Sequence, residues 1–457
     1  MKRRIIAALC AICMLMSLSS CTFSSPSAII SAEINENGEL ILTYDDGSEQ
    51  NLGVVVGKNG ADGKDGIDGA AGLNGEDGKD GVDGKDGADG SLTISGATAT
   101  SSAASSKGLR SAVSIICNFT ATVQQGGWRP GSSSSTTKKY SSAGSGVIYK
   151  LDKASGEALI ITNYHVVYDA SSDTKNGISD DISVYLYGSE IEEMGMKATY
   201  VGGSLYYDIA ILHIEGSDIL KNSDSAPVEI ADSDKTVVGD MAIAIGNAKG
   251  FGISASVGVV SVDSEYLTMT AADGKTEVSF RVVRVDTAVN SGNSGGGLYD
   301  GNGRLIGIVN AKIVDDGVEN IGYAIPSNVA VSIADNIIYY CLGTSLERVQ
   351  RAALGITVMN KDSKAVYDSE SGLVSIKETV ALYEVSERSV ASGVLLEGDI
   401  LLRAKLGEKT VEITRQYHII DLMLDVRVGD TVDITILRGG EEKTVSIKIT
   451  ESCLSEY

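Results

Sequence analysis

The chain has 457 residues, of which 43% are hydrophobic and 5% aromatic, and a formal net charge of -23 at pH 7. This length exceeds what one hydrophobic core normally organises, so we expect about two or three domains. The acidic balance argues against nucleic acid or anionic lipid as a partner, since both are bound through clustered Lys and Arg. Because aromatic residues are few, the core must come mostly from aliphatic side chains, whose β-branched members favour sheet.

The N-terminus carries the pattern of an export signal. A basic start, Met1-Lys2-Arg3-Arg4, precedes an apolar run over residues 5–18 that is too short to span a bilayer comfortably. The following Leu-Ser-Ser-Cys at 18–21 resembles the bacterial lipobox, where cleavage leaves a lipid-bearing cysteine. We therefore predict a lipoprotein signal peptide over residues 1–20, lipidation of Cys21, and a mature protein on the outer face of the cytoplasmic membrane. The alternative is an ordinary cleaved signal with a chance cysteine.

The remaining cysteines argue against a disulfide framework. Cleavage would remove the first two cysteines and lipidation would use Cys21, which leaves Cys117, Cys341 and Cys453. An odd number favours free thiols, with a single bridge among the three as the alternative. The chain has 3 histidines, and no Cys-x-x-Cys pair remains after the predicted cleavage. The sequence therefore predicts no metal site, and nothing in it calls for a cofactor.

Three short segments of largely non-globular character follow the signal. Residues 21–56 contain strand-like runs and the turn signals Asn37-Gly38 and Asp46-Gly47, which predict a hairpin. In residues 57–90 glycine recurs at every third position, the period of collagen, where only glycine fits at the crowded axis. The tract is acidic, so a solvated spacer is favoured over a calcium site. Because it lacks proline, a triple helix is not assured, and both a triple helix and a flexible coil stay open. Residues 91–107 are a Ser/Thr-rich linker.

The rest of the chain divides into two globular domains. Residues 108–345 alternate short β-rich runs with Gly-rich turns, the pattern of an all-β barrel, and close with a helix from about Pro326 to Tyr340. Beyond these residues the pattern changes to a strand at 354–358, a helix at about 414–425 and two alternating strands. We therefore predict a separate small α/β domain over residues 350–452.

Three residues lie in settings that suit hydrolysis of an amide. Ser294 lies among glycines, which allow a sharp turn that aims the amides of Gly292, Ser294 and also Asn293 at an oxyanion. His165 ends a strand, as a base, and Asp208 precedes an apolar run, where its carboxylate can orient the histidine. Each alone has a structural reading as a turn or strand-end residue. The order His, Asp, Ser is that of chymotrypsin, so it selects a fold as well as a chemistry.

Around these residues the chain resembles the HtrA/Deg family of trypsin-like serine proteases. The matching motifs occur in the family's order, at 144–148, 162–167, 208–212, 238–247, 286–296 and 322–327. The resemblance implies a double β-barrel protease domain, His165, Asp208 and Ser294 as its catalytic triad, and assembly as a homotrimer. The chain departs from the family at Ser291 and Gly297, where proline is usual, and both changes predict a looser oxyanion loop.

The resemblance extends to the C-terminal domain, which looks like the family's PDZ domain at residues 353–356 and 392–401. In such a domain a peptide C-terminus adds as a strand and its carboxylate meets backbone amides, here by analogy those of Leu354, Gly355 and Ile356. Residues 362–389 match poorly, which leaves the peptide preference open. The alternative is a PDZ domain that only packs on the protease.

The residue six positions before Ser294 bears on specificity. Trypsin-like enzymes that cut after Lys or Arg have an acid there, whereas this chain has Ala288. Together with Val289, Ile308 and Asn310 it predicts a small aliphatic pocket. We expect cleavage after Val, Ala, Ile or similar residues, as the family resemblance also implies.

These observations predict an exported, lipid-anchored serine endopeptidase for protein quality control. It would hydrolyse unfolded or misfolded polypeptides, and its PDZ domain would bind peptide C-termini or gate the active site. Two rival hypotheses belong to other classes. One is a chaperone or peptide-binding module that keeps the fold without turnover, and the other is a surface spacer or adhesin whose functional part is the Gly-x-x tract.

Overall fold

The computed structural model describes residues 29–35, 39–44, 47–54, 100–126, 133–310 and 321–456. The predicted signal peptide, Cys21 and the Gly-x-x tract lie outside these residues. The chain divides into two compact units, Met1–Ser91 and Leu92–Tyr457. No helix within the described ranges has the length and apolarity needed to cross a membrane.

The first unit contains a three-stranded antiparallel sheet. Its strands follow in chain order, β1 Ile29–Ile34, β2 Glu39–Tyr44 and β3 Glu49–Val54. Gly47, between the last two strands, has a φ of 80°, a left-handed conformation that glycine adopts without steric cost. Gly47 is the glycine of the second predicted turn signal, whose aspartate lies outside the described residues, as does the first signal.

The second unit opens with helix α1 and a closed six-stranded barrel. Thr100 caps α1, Ser101–Leu109, through a hydrogen bond from the Ala103 amide to its hydroxyl. The barrel closes in the order β4-β5-β6-β9-β8-β7. Its strands are β4 Ala112–Gly126, β5 Ser133–Asp152, β6 Glu157–Thr162, β7 Asp181–Leu186, β8 Met196–Ser204 and β9 Ile209–Ile214. Short helices α2, Tyr164–Val167, and α3, Asp218–Asn222, follow β6 and β9.

A second barrel follows, closed in the order β10-β11-β12-β15-β14-β13. Its strands are β10 Met241–Gly246, β11 Ser254–Thr270, β12 Glu277–Val285, β13 Gly297–Tyr299, β14 Leu305–Val309 and β15 Gly322–Pro326. Helix α4, Ser327–Cys341, then packs Val329, Ile333 and Ile337 into the core, a spacing of four residues that keeps them on one face. This helix agrees closely with the one predicted from Pro326 to Tyr340.

One hydrophobic cluster joins the two barrels. Ile161 and Ile209 of the first barrel share it with Ile245 and Ile308 of the second, and all four are almost completely buried. Burial of aliphatic surface contributes roughly 25 cal/mol per Å², so this shared core fixes the two barrels against each other. The predicted all-β, trypsin-like double barrel is confirmed, and the seam between its barrels holds the catalytic candidates.

The C-terminal domain is a sheet covered by one helix. The strands are β16 Gln350–Ala352, β17 Ile356–Tyr367, β18 Val374–Val385, β19 Ile400–Leu406, β20 Lys409–Glu412, β21 Thr431–Arg438, β22 Glu441–Lys448 and β23 Leu454–Glu456. The sheet order is β17-β18-β19-β21-β22, with β20 on β19, while β16 pairs with β23. Helix α5, Tyr417–Asp425, buries Ile419 and Leu422 against this sheet.

The poorly matching residues 362–389 lie mostly in a long antiparallel hairpin of β17 and β18. Its register runs from Ile356↔Val385 to Tyr367↔Val374. The strand predicted at 354–358 is therefore much longer than expected. The sequence does not predict this length, because both faces of the outer hairpin are largely exposed. Its residues therefore need no alternation of apolar and polar side chains.

Candidate active site

The first element of the site is an aspartate–histidine pair. Strand β6 pairs with β9 in the register Thr162↔Ala210, which brings His165 of α2 beside Asp208. His165 Nδ1 is 2.6 Å from Asp208 Oδ2, and the His165 backbone N–H donates to Asp208 Oδ1 at 2.9 Å. The carboxylate therefore favours the tautomer with its proton on Nδ1 and leaves Nε2 for a reacting group.

Asp208 itself is held in an unusual conformation. Its φ is 54°, in the left-handed region that aspartate tolerates better than most residues, and it is only 6% exposed. The Asn163 side chain donates to the Asp208 carbonyl at 2.8 Å. Backbone and side chain are thus both anchored, so the carboxylate has little freedom to leave the histidine.

The Asn310 side chain also binds the Asp208 carboxylate, and its position corrects the prediction that it lines the substrate pocket. Asn310, expected in the substrate pocket, is fully buried and donates through Nδ2 to Asp208 Oδ2 at 2.8 Å. Ile308, also expected there, lies in the cluster between the barrels. Alternate residues of a strand share a face, so both point inward together. Val309, on the opposite face, belongs with Ile306 to the cluster against which Val289 packs.

The second element is the loop that carries Ser294. Gly292 has a φ of 96°, and a Cβ there would collide with the Asn247 carbonyl, so only glycine fits. Three carbonyls of the loop accept hydrogen bonds: Ser291 O from Lys249 N at 2.7 Å, Gly292 O from Ser145 Oγ at 2.7 Å, and Asn293 O from Gly296 N at 2.9 Å. The loop is held by its carbonyls even without proline at residue 291.

Two amides of this loop are available to an oxyanion. The Asn293 amide donates to Asn290 O at 3.0 Å, so its predicted place in the oxyanion hole is wrong: the turn uses it. Within the described residues, the Gly292 and Ser294 amides donate to no group. In a trans peptide the N–H points opposite to the C=O, so the bonded Ser291 and Asn293 carbonyls aim these two amides to the other side.

The glycines after Ser294 allow close contact with the first barrel. The Ser145 amide donates to Ser294 O at 2.8 Å. A Cβ at Gly295 would collide with the Ser145 carbonyl, and one at Gly296 with the Ile245 carbonyl. Ser294 is 5% exposed, and no hydrogen bond joins its hydroxyl to His165 among the described residues. Catalytic hydrogen bonds are often long or misaligned without substrate.

Gly297 stands where the family usually has proline, and the Tyr299 ring beside it accounts for the small residue. A Cβ at this position would lie 2.5 Å from the ring of Tyr299. That ring is completely buried, and its hydroxyl lies 3.1 Å from Ser111 Oγ. The tyrosine thus fills the space that a larger residue 297 would need.

The region of the predicted pocket is aliphatic. The Ala288 carbonyl accepts from Ser256 Oγ at 3.0 Å, while Val289 packs over Gly322, where a Cβ would come within 2.6 Å of Val289 Cγ2. Val289 also contacts the buried cluster that includes Val309 and Ala324. Among the described residues, these side chains present no charge.

The residues predicted to bind a carboxylate lie at the start of an edge strand. Gly355 has a φ of 73°, and its carbonyl accepts from the Ser386 amide at 2.9 Å. In the part of the chain that the structure describes, the Leu354 and Gly355 amides donate no hydrogen bond. Ile356 begins β17, at the edge of its sheet. Such an edge can pair with an added peptide strand.

A cavity of about 300 Å³ separates this edge strand from the protease barrels. Ile356 and Val358 line it on one side, and Tyr206 and Tyr207, the residues immediately before Asp208, line it on the other. A ligand lying along β17 would therefore contact the segment that carries Asp208.

Beside the cavity, a buried ion cluster joins the domains. Arg281 of β12 is 3% exposed and contacts Asp234 at 2.8 Å and Asp421 of α5 at 3.0 Å. Its guanidinium also lies 3.8 Å from the ring centroid of Tyr417. Burial raises the pKa of Asp421 to about 6, although Arg281 opposes the shift. Burial also lowers the pKa of the nearby His418.

Metal and disulfide chemistry are not indicated by the described residues. These ranges contain no group of three or more His, Cys, Asp or Glu side chains that could hold a metal ion. Cys117, Cys341 and Cys453 are buried, and none of the three forms a disulfide in the described structure. Burial raises the pKa of the Cys117 thiol to about 12, so this thiol is unreactive at neutral pH.

Comparisons with known proteins agree with this geometry. The family model of the trypsin-like peptidase domain matches residues 144–308. Serine protease Do-like HtrA of Lactococcus lactis subsp. lactis is 34% identical over 337 residues, 71% of this chain and 75% of the relative. The Bacillus subtilis protein of the same name is 32% identical over 351 residues, 75% of this chain and 71% of the relative.

A solved structure, that of the HtrA-type protease AlgW with decapeptide, is 24% identical with a TM-score of 0.47, covering 78% of this chain and 99% of its own. The sequence relatives exceed 30% identity over more than two thirds of the chain. With the trypsin-like domain match and the double barrel, they identify the protein as a serine endopeptidase. The chain belongs to the HtrA family of Do-like serine proteases.

Proposed function

We propose that this protein is an exported, lipid-anchored protease that hydrolyses unfolded or misfolded polypeptides, with His165, Asp208 and Ser294 as its catalytic triad. One observation carries the catalytic assignment. The buried, triply hydrogen-bonded Asp208 carboxylate lies against His165, while the loop of Ser294 presents two amides without a donor role elsewhere.

In the proposed reaction Ser294 Oγ attacks the scissile carbonyl carbon while its proton passes to His165 Nε2. The carbonyl oxygen becomes an oxyanion and accepts hydrogen bonds from the Gly292 and Ser294 amides. Asp208 stabilises the imidazolium through Nδ1–H, and His165 then protonates the leaving amine. Water, deprotonated by His165, hydrolyses the acyl-enzyme and regenerates the serine.

The pocket supports cleavage after small aliphatic residues. Val289 packs against a buried aliphatic cluster that includes Val309 and Ala324, and Ala288 stands where an acid would select Lys or Arg. A buried basic side chain would find no described counter-charge there, which is costly. Digestion of an unfolded protein, with cleavage sites mapped by mass spectrometry, should show Val, Ala and Ile before the cut. Strict cleavage after Arg would refute this pocket.

The C-terminal domain is proposed to act as a PDZ domain that gates the protease. The Leu354 and Gly355 amides are available to a terminal carboxylate, and the cavity beside β17 reaches Tyr206 and Tyr207. A bound peptide would therefore contact the segment leading to Asp208. A peptide with a free C-terminus should change the rate of cleavage of a small chromogenic substrate, whereas its C-terminal amide should not. Equal effects of the two peptides would exclude carboxylate recognition.

Lipid anchoring rests on the Leu-Ser-Ser-Cys sequence that ends at Cys21. In a bacterial host, the wild-type protein should incorporate labelled fatty acid and sediment with membranes. The Cys21→Ala variant should do neither. Labelling of both proteins alike would refute this site of attachment.

A further inference from the structure

We propose that Ser145 is a positioning residue whose hydroxyl holds the Gly292 carbonyl and thereby keeps the Gly292 and Ser294 amides aimed at the oxyanion. The inference rests on the proposed role of Ser294 as the nucleophile. It assigns a role in catalysis to a side chain of the first barrel that touches none of the reacting atoms.

Ser145 lies on β5, is completely buried, and makes contacts across the seam between the barrels. Its hydroxyl donates to Gly292 O at 2.7 Å and accepts from the Asn247 amide at 2.7 Å. Because Asn247 N–H can only donate, the serine proton is left for the Gly292 carbonyl. The two hydrogen bonds form a bridge with one direction of donation: Asn247 N–H donates to Ser145 Oγ, and the Ser145 hydroxyl donates to the Gly292 carbonyl of the loop.

The Asn247 end of the bridge is itself rigidly held. Asn247 Nδ2 donates to Ser114 Oγ at 2.6 Å, and Asn247 Oδ1 accepts from the Gly252 amide at 2.8 Å. Both the asparagine and Ser145 are buried, where unpaired polar groups are costly. The hydroxyl of Ser145 is thus fixed before any substrate arrives.

The Ser145 hydroxyl acts on the Gly292 carbonyl, whose orientation bears on the oxyanion site. The peptide unit of Gly292 C=O and Asn293 N–H lies between the two units that supply the oxyanion amides. Gly292 has no Cβ and can adopt many conformations, and Ser291 before it lacks the fixed φ of proline. A rotation here would turn a carbonyl toward the oxyanion and replace attraction with repulsion. The bond from Ser145 opposes that rotation.

The same residue also relates the loop to the other catalytic groups. The Ser145 amide donates to Ser294 O at 2.8 Å, and its carbonyl accepts from Thr162 Oγ1 at 2.7 Å. Thr162 ends β6, three residues before His165. Ser145 therefore connects the loop of the second barrel to the strand that carries the base in the first.

The test compares Ser145→Ala with Ser327→Ala in the full-length protein. Ser327 is equally buried and also donates to a backbone carbonyl, Ala231 O, at 2.7 Å, but it lies at the start of α4 outside the site. Loss of one oxyanion donor typically costs about 100-fold or more in kcat, so weakened positioning should cost Ser145→Ala about tenfold, with KM changed less than about twofold. Ser327→Ala should keep kcat within about twofold of the wild type.

A peptide boronic acid provides a readout that a merely structural role would not move. Its tetrahedral adduct with Ser294 places an oxygen at the two amides, so its Ki should rise in Ser145→Ala by the factor by which kcat/KM falls. An unchanged kcat/KM and Ki, or an equal fall in Ser327→Ala, would overturn the proposal. Thermal melts establish that each variant is folded at the assay temperature.

If Ser145→Ala does not fold, Ser145→Cys replaces it, because a thiol of similar size is a weaker donor. Its kcat should then fall by a smaller factor, about threefold, with KM unchanged, and an unaltered kcat would refute the role of the hydroxyl. Ser294→Ala separates this inference from the triad assignment. Residual turnover by Ser294→Ala would refute the nucleophile, whereas its inactivity beside a fully active Ser145 variant would refute only the positioning role.

Discussion

Asp208 shows how much of the site is set by single hydrogen bonds. Its carboxylate receives the His165 amide, the His165 ring and the Asn310 side chain, all within 2.9 Å. Two donors besides the ring hold a buried charge in one orientation. The asparagine lies beyond β14 and reaches the aspartate from the opposite barrel, so it also ties the triad across the seam.

Replacing this asparagine should therefore affect turnover more than binding. In Asn310→Ala, Asp208 Oδ2 loses a donor and the histidine is held less firmly. We expect kcat to fall about tenfold with KM changed less than about twofold. Steady-state kinetics with a chromogenic peptide ending in valine would measure this. A change in KM without a change in kcat would instead support the prediction that Asn310 lines the substrate pocket.

At the scale of elements, alternation and helical spacing predicted the barrels and α4 because these elements bury one face against a large core. The errors have physical causes too. Ile308 and Asn310 were assigned to the pocket because the sequence does not state which face of β14 points inward. The Asn293 amide was assigned to the oxyanion because the turn that uses it is visible only in three dimensions. The sequence does not identify Ser145 as a site residue, although its Gly-Ser-Gly setting lies in a matching motif, because its bond to the Gly292 carbonyl joins residues far apart in the chain.

The contact between Asp421 of α5 and Arg281 of β12 predicts that the stability of the folded protein depends on pH. Asp421 has a pKa of about 6 in the folded protein and an ordinary value of 3.8. Between these values the folded protein keeps a proton that the unfolded chain releases, so this stabilising contribution is present at low pH and lost as pH rises toward about 6. The group faces Arg281, Arg351, Asp234 and Asp425.

Asp421→Asn should remove this dependence. Melting temperatures of both proteins would be measured from about pH 5 to about pH 7.5. The wild-type value minus the variant value should fall as pH rises to about 6 and stay level above it. A difference independent of pH would mean that the Asp421 carboxyl keeps an ordinary pKa.

At the scale of the whole molecule, the acidic Gly-x-x tract bears on assembly. The family resemblance implies a homotrimer formed through the protease domain, and a threefold assembly is compatible with the collagen period. Without proline the tract lacks the preordering that stabilises a triple helix.

Deleting residues 57–90 should therefore leave the oligomer intact. Light scattering on the mature protein should give a trimer mass with and without the tract. A shift to monomer on deletion would show that the tract drives assembly and is more than a spacer.

We propose that this HtrA-family protein degrades unfolded polypeptides through Ser294. The most direct measurement follows casein, an unfolded substrate, with the mature wild-type protein and Ser294→Ala at equal concentrations. We predict progressive degradation by the wild type and none by the variant, with both proteins showing the same melting temperature. Equal degradation by the two proteins, or none by either, would refute the proposed function.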